Sequence, residues 1–325
     1  MTVRKTKVVI GERTPLVSNP VIIDGIARAG KFLVANLLSG IRGVEPVQIR
    51  PVMEHVSRLH RFGLINTKAA KEVLQVEADM ACYEMLIGRN FNYRASDKSS
   101  IFNNANYKTY LKRLRQPDGE AVLANFYDNK LLSLFIIHES LPNINIFFDT
   151  FPSIKIIIMQ RSPVDLVYSW YQRKLGQRLG NDPLMGEIPF QGTKSLIPWY
   201  LYNHQKEYGS LPGMDRTILS ICTLFRMYQL SYNALSPKNK KRILFIRYEE
   251  ILSGPQTATK TIAHFLKKEI LPEMKQVIKR EKLPNRIYLD LKGQKIEKIR
   301  KTASKKYFDK LLFLEKEYFN VCQSQ

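Results

Sequence analysis

Four short apolar runs constrain what this chain can fold into: Val21-Ile-Ile-Asp24, Leu134-Phe-Ile-Ile137, Lys155-Ile-Ile-Ile-Met159 and Arg242-Ile-Leu-Phe-Ile246. Each is rich in β-branched or aromatic residues and too short for a buried helix, so each reads as a strand. Helical patterns separate them, at 68–87, near 143–151, at 216–234 and at 256–267. Strands alternating with helices predict an α/β fold in three layers: a mostly parallel central sheet flanked by helices on both faces. A chain of 325 residues that is 44% hydrophobic has enough apolar material for one large domain of this kind. The region from about 48 to 128 reads mostly as helices and polar loops, and 172–215 as irregular. The chain is expected to form a single domain over 1–325, with a lysine-rich helical C-terminal extension from about 270. The lysine blocks of that extension read as solvated helices or as a basic surface facing a partner.

Composition removes several classes. Cys82, Cys222 and Cys322 are far apart and form no CxxC pair, which argues against a disulfide scaffold and a structural zinc site. The five histidines are scattered, without the spacing of a metal site. The N-terminal stretch has no long apolar run, so a cytoplasmic enzyme is the expectation. The net charge of +22 predicts attraction to polyanions, anionic lipids or an acidic substrate, and leaves open peripheral association with an anionic membrane surface.

The first strand leads into Gly25-Ile-Ala-Arg-Ala-Gly30-Lys31, which has the glycine and lysine spacing of a phosphate-binding loop. A helix follows, so free N–H groups at its start would face an anion. A nucleoside triphosphate enzyme needs Ser or Thr after the lysine to hold magnesium. Phe32 stands there instead. The anion site therefore survives without the magnesium ligand, and Arg28 and Lys31 add positive charge to it.

A second site follows the strand at 155–159. Arg161 lies just beyond the strand, and Ser169 lies eight residues on, within the next helix. A guanidinium fork and a hydroxyl so placed can converge on one phosphate. Asp165 is positioned to orient Arg161 or to cap local backbone. The two sites together imply a ligand with two separate anionic groups and no required metal.

On these segments the chain resembles the sulfotransferases that use 3'-phosphoadenosine 5'-phosphosulfate, and the resemblance implies their P-loop-like fold and their reaction. In that family a first loop holds the 5'-phosphosulfate, with a lysine two residues before a glycine. Arg28-Ala29-Gly30 falls on that pattern with arginine in place of lysine, and Lys31 stands where a hydroxyl residue is usual. The resemblance implies that Arg28, Ala29, Gly30, Lys31 and Phe32 bind the 5' end, Ala29, Gly30 and Phe32 through backbone groups. Arg28 or Lys31 would also assist the leaving oxygen. Residues 151–171 resemble the 3'-phosphate motif, placing Arg161 and Ser169 on that phosphate. Ile246-Arg-Tyr-Glu-Glu-Ile-Leu252, with Pro255 and the helix to Leu266, resembles the late strand and helix of the same fold. The glycine-rich nucleotide motif near the end of cytosolic members is not recognisable, so no adenine-binding residue is named.

The resemblance also implies a base for the acceptor hydroxyl. His138 ends a strand, precedes a Leu141-Pro142 pair and lies 23 residues before Arg161. Neutral imidazole suits that task near physiological pH. Glu139 either orients the histidine or is itself the base, and Glu54, His55 and His60 stand in reserve. His204 and His264 read as structural. The expected acceptor is hydroxylated, a carbohydrate such as an acidic glycan or another anionic small molecule. Tyr168, Trp170, Tyr171, Trp199, Tyr200 and Tyr202 are available to stack on it or to fill the core. The competing readings are a P-loop small-molecule kinase, which the loop spacing favours and Phe32 opposes, and a basic nucleic-acid-binding protein. No recognition module for nucleic acid is visible.

Overall fold

The computed structural model describes residues 9–285 and 291–320; Cys322 and the first eight residues of the N-terminal stretch lie outside them. Five strands form one parallel sheet in the order β2-β3-β1-β4-β7. They are β1 (Val21–Gly25), β2 (Val44–Ile49), β3 (Leu132–Ile136), β4 (Lys155–Gln160) and β7 (Ile243–Arg247). A separate two-stranded hairpin pairs β5 (Phe190–Gln191) with β6 (Leu196–Ile197).

The helices are α1 (Lys31–Leu38), α2 (Pro51–Arg61), α3 (Thr67–Leu86), α4 (Tyr107–Lys112), α5 (Glu120–Asp128), α6 (Asn145–Thr150) and α7 (Pro163–Gln172). They continue as α8 (Leu175–Arg178), α9 (Gln205–Tyr208), α10 (Gly213–Asn233), α11 (Pro237–Lys240), α12 (Tyr248–Ser253), α13 (Pro255–Leu266) and α14 (Met274–Arg280). The last two described are α15 (Lys292–Arg300) and α16 (Lys305–Asn320).

The strand residues divide by parity between two cores, as a period of two requires. Val21, Ile23, Leu134, Ile136, Ile157 and Met159 face a core shared with helices that include α1, α7, α10 and α13. Ile22, Phe135, Ile156 and Ile158 face the other, built with α2, α3 and α6. Both faces of the sheet are covered, which is why the four runs are apolar throughout instead of alternating.

Two features differ from the sequence reading. Strand β2 was not foreseen. Its sequence VEPVQI carries Pro46 and polar residues, and it lies at the sheet edge with a register shift between Val44 and Val47. An edge position tolerates the missing proline donor. The lysine-rich segment is also not simply solvated. Ile299, Tyr307 and Leu311 join the main core, and α15 and α16 both pack on α7. Lys295 Nζ donates to Asp165 of α7 at 2.6 Å, so Asp165 pairs with this distant lysine. The Glu315 carboxylate accepts from Ser162 Oγ at 2.7 Å and from the Val164 N–H at 2.9 Å. It therefore caps the positive end of α7.

Candidate active site

The loop after β1 is a tight curl that its backbone requires. Gly25 has φ 144° and lies so close to β4 that a Cβ there would sit 2.5 Å from the Met159 carbonyl oxygen. Gly30 precedes α1 with φ 103°, and a Cβ there would sit 2.5 Å from the Tyr248 ring. Arg28 also takes a left-handed conformation, at φ 74°. The Ala29 N–H is spent on the Ile26 carbonyl at 3.0 Å and the Ala27 N–H on Glu139 Oε1 at 2.7 Å. Ala29 is thus buried and used by the loop itself. The N–H groups of Gly30, Lys31 and Phe32 lie at the start of α1, where intrahelical acceptors do not exist. The Phe32 ring packs against the core.

The two cations of the loop go to different places. Lys31 is buried, and its ammonium donates to the carbonyls of Gly25 and Ile26 inside the curl. Burial lowers its pKa, while Glu139, Asp24 and Glu54 act in the opposite sense. Arg28 instead lies at the surface beside two further guanidiniums. Loss of surrounding water lowers its pKa, and Arg173 and Arg161 lower it further by repulsion. Arg161 NH1 donates to the Arg28 carbonyl at 2.8 Å, and its guanidinium stacks 4.6 Å from the centre of the Tyr248 ring. Ser169 is on α7, and Arg173 NH1 lies 3.4 Å from its hydroxyl. The structure therefore brings Arg28, Arg161 and Ser169 to one place, with Arg173 and Tyr248 added.

On the other side of the loop lies a buried ionic cluster. His138 Nδ1 is 2.8 Å from Glu54 Oε1. Burial would raise the Glu54 pKa, but His138, Arg58 and Lys31 outweigh it and hold the carboxyl below its usual range. Arg58, fully enclosed, lies 3.2 Å from Glu54, 3.5 Å from Glu139 and 3.5 Å from Glu187, and donates to the His138 carbonyl at 3.1 Å. Glu139 is buried, at φ 50°, with its carboxylate given to the loop and to Arg58. The carboxylate beside the His138 ring is thus that of Glu54. Burial pushes Glu187 up to about 7, with Arg58 opposing and Glu139 and Glu54 adding to the shift. Asp24, at the end of β1, accepts from the N–H groups of Ser140 and Leu141 at 3.1 and 2.8 Å and from the Tyr228 hydroxyl at 3.0 Å. It ties the loop strand to the turn that carries His138 and Glu139.

The remaining histidines have other partners. His55 contacts the Gly186 carbonyl at 2.7 Å, His60 the Thr67 hydroxyl at 3.0 Å, and His204 the Glu207 carboxylate at 2.7 Å. His264 is exposed on α13. Of the aromatic candidates, Trp170 is core and donates to the Ala27 carbonyl at 2.7 Å, while Tyr168 and Tyr171 lie away from the cleft lining. Trp199, Tyr200 and Tyr202 line a cleft of about 1330 Å³ that also reaches Ile26, Arg161 and Tyr228. Sequence reasoning held Glu54 only in reserve and missed Arg58, Arg173 and Glu187. Two signals were present: Glu54 and Arg58 are one helical turn apart, and so are Ser169 and Arg173.

The donor set fits a nucleotide with anions at two places. Three guanidiniums and a hydroxyl gather beside a helix start, and among the described residues neither Arg28 nor Arg173 forms an ion pair with a carboxylate. Among the described residues no group of three or more His, Cys, Asp and Glu is arranged to hold a metal.

Comparison with known proteins agrees with this chemistry. No curated protein matches the chain. Among solved structures, the sulfotransferase domain from the curacin biosynthetic pathway is 16% identical, covering 82% of this chain and 78% of that one, with a TM-score of 0.44. The sulfotransferase domain of the Synechococcus PCC 7002 olefin synthase is 14% identical, covering 82% and 80%, with a TM-score of 0.41. Sulfotransferase STF9 from Mycobacterium avium is 11% identical, covering 82% and 68%, with a TM-score of 0.40. Likenesses this distant carry no weight of their own. The sulfotransferase domain family, however, matches residues 64–323, from just after α2 to the end of α16 and beyond. The loop at 25–31 precedes that span. The span covers well over half of the chain, and the kinase and nucleic-acid readings give way to it: this protein belongs to the sulfotransferase family, as an enzyme that transfers a sulfuryl group from 3'-phosphoadenosine 5'-phosphosulfate.

Proposed function

We propose that His138 is the base that takes the proton of the acceptor hydroxyl, held for that task by Glu54. The observation that carries this is the 2.8 Å contact between His138 Nδ1 and Glu54 Oε1. A carboxylate on Nδ1 favours the tautomer with its proton there, which leaves the Nε2 lone pair for the acceptor. The His138 side chain is 30% exposed, so it is reachable from solvent. When Nε2 gains the proton, the adjacent carboxylate balances the new charge without reorganisation.

Arg28 and the N–H groups of Gly30, Lys31 and Phe32 would hold the 5' end of the donor, and Arg161 with Ser169 its 3'-phosphate. When bound, the donor supplies the sulfuryl group. Lys31, facing inward, holds the loop carbonyls and so sets the direction of those N–H groups. The acceptor is a hydroxylated small molecule or glycan. Arg61, Arg226, Arg247 and Lys310 on the cleft lining support an acceptor that carries an anionic group. The cytoplasm is the proposed compartment, since thiols such as Cys82 and Cys222, free among the described residues, are stable there.

Calorimetric titration with adenosine 3',5'-bisphosphate in EDTA tests the donor half of this reading. Metal-free binding is expected, weakened roughly tenfold or more in Arg161→Ala through loss of a charge-assisted contact. His138→Ala should bind the bisphosphate as the wild type does. Binding that requires added magnesium, or equal loss of affinity in both variants, would overturn it.

A further inference from the structure

The five strands run parallel, so all of them start at one edge of the sheet and end at the other. The loop after β1, Arg161 and Tyr248 belong to the edge where the strands end. A strand of five residues separates the two edges by about 17 Å. The starting edge carries a positive charge that the reaction does not use. Its loops, 40–43, 129–131, 152–155, 238–242 and 264–271, hold nine lysines and arginines and a single carboxylate, Glu269. Hydrogen bonds tie these loops into one surface. The Leu132 N–H donates to the Gly43 carbonyl at 2.8 Å, the Arg42 N–H to the Glu269 carbonyl at 2.9 Å and the Ile156 N–H to the Arg242 carbonyl at 2.9 Å. Lys268 Nζ donates to the Lys130 carbonyl at 2.6 Å, and Lys155 Nζ to the Phe265 carbonyl. Burial lowers the pKa of Lys155 and of Lys268; repulsion from Lys267 and Lys268 adds to the first shift, and from Lys130 to the second. The segment 292–320 holds as many cations but four carboxylates. Ion pairs there take up Lys292, Lys295, Arg300 and Lys301. Among the described residues the ion pair of the starting edge is Arg42–Glu269 at 3.0 Å, with Asp128 and Asp149 at its border, Asp149 acting on Arg242.

The kind of charge narrows the partner. Seven of the nine cations are lysines. Both guanidiniums are engaged, Arg42 with Glu269 and Arg242 with the Phe151 and Ile154 carbonyls at 2.5 and 3.4 Å. The forks that would grip a phosphodiester or a sulfate at two points are thus occupied, and what meets solvent is a spread of point charges. The rings of Phe148, Phe265 and Tyr232 already carry Arg242, Lys155 and Lys240 over them, which takes from each a face on which a base or a sugar would stack. Tyr127, one turn before Lys130, and Ile270 are exposed, and side chains of these two kinds enter a lipid headgroup layer. We propose that the starting edge of the sheet is a docking surface for an anionic lipid bilayer, held by its exposed lysines. Ammonium groups spread over an edge match a field of headgroup charges that has no fixed pattern. A protein docked in this way turns its cleft away from the bilayer, toward acceptors in the water above it.

Cosedimentation with vesicles at physiological salt tests this, with phosphatidylcholine alone and with phosphatidylcholine mixed with phosphatidylserine. The wild type should bind the mixed vesicles only, and less as salt is raised. Lys130→Gln, Lys241→Gln and Lys267→Gln, all at exposed positions, should each weaken that binding roughly fivefold, and their combination roughly a hundredfold. The combined variant should keep the wild-type affinity for adenosine 3',5'-bisphosphate, since the donor site lies at the opposite edge. If the combination does not fold, the single variants decide. A control that loses the same charge elsewhere, Lys305→Gln with Lys306→Gln and Lys316→Gln, should stay within about twofold of the wild type on the mixed vesicles. Equal loss in the control would mean that net charge alone attracts the lipid, and the docking edge is then overturned. Failure of the wild type to bind the mixed vesicles overturns it as well. If RNA or heparin displaces the wild type from the vesicles and the combined variant no longer binds that polymer, the edge serves a polyanion and the lipid assignment fails.

Discussion

Glu54 on α2 and His138 beyond β3 meet at 2.8 Å although 84 positions separate them in the chain. The contact exists because Arg58, one turn along α2, donates to the His138 carbonyl and pairs with Glu54 at the same time. The histidine is thus held from its ring and from its backbone. His138→Ala should lower kcat by roughly 10²–10⁴-fold, the usual share of a general base. Glu54→Gln should lower it by a smaller factor, with bisphosphate affinity kept in both. Steady-state kinetics beside calorimetry checks this, and an unchanged kcat in His138→Ala would remove it as the base.

The loop glycine offers a steric test. Gly30→Ala combines a left-handed backbone with a Cβ 2.5 Å from the Tyr248 ring. Strain of this kind costs about 1–3 kcal/mol. The expected result is at least a tenfold loss of bisphosphate affinity with the far-ultraviolet circular dichroism of the wild type. Full affinity would mean that the curl at 25–30 does not shape the donor site.

Glu187 gives a pH dependence. Its side chain is 7% exposed, and its pKa rises from 4.5 to about 7 in the folded protein. Between those values the folded chain binds more protons than the unfolded chain, so stability falls as pH rises. The contribution is complete below pH 4.5 and lost as pH passes 7, with a magnitude on the order of 3 kcal/mol. Glu187→Gln keeps the neutral shape at every pH. Melting curves of the two proteins should therefore shift in favour of the variant between pH 5 and pH 8. Parallel curves would show that Glu187 ionises freely.

The lysine-rich segment should prove necessary to the fold. Glu315 accepts from Ser162 and the Val164 N–H and pairs with Lys292 at 2.7 Å. Glu315→Ala leaves buried donors unmatched, which costs about 1–3 kcal/mol. A lowered Tm is expected, accompanied by weaker bisphosphate binding because α7 carries Ser169. A Tm equal to that of the wild type would mean that α16 contributes nothing to α7.

The sequence by itself determined four of the five strands of the central layer, the edge strand β2 excepted. Runs such as Lys155–Met159 admit one solution, a strand covered on both faces, because they leave no polar face for water. The loop glycines and the Arg161–Ser169 spacing were equally legible, since each is set by local backbone geometry and helical periodicity. What the sequence did not contain was the pairing of side chains across elements. Glu139 was the sequence's candidate to orient His138, with Glu54 only in reserve as a base, and it is the packing of α2 against the turn at 138–141 that puts the Glu54 carboxylate beside the His138 ring. Lys31 reads as a phosphate cation in sequence, but the curl turns its ammonium inward to the carbonyls of Gly25 and Ile26. Arg173 stands one helical turn beyond Ser169 in the sequence, but only the fold brings the end of α7 beside the loop after β1. Strands and loops follow from neighbouring residues, whereas the destination of a charge depends on which distant group burial places beside it, and that is decided by tertiary structure alone.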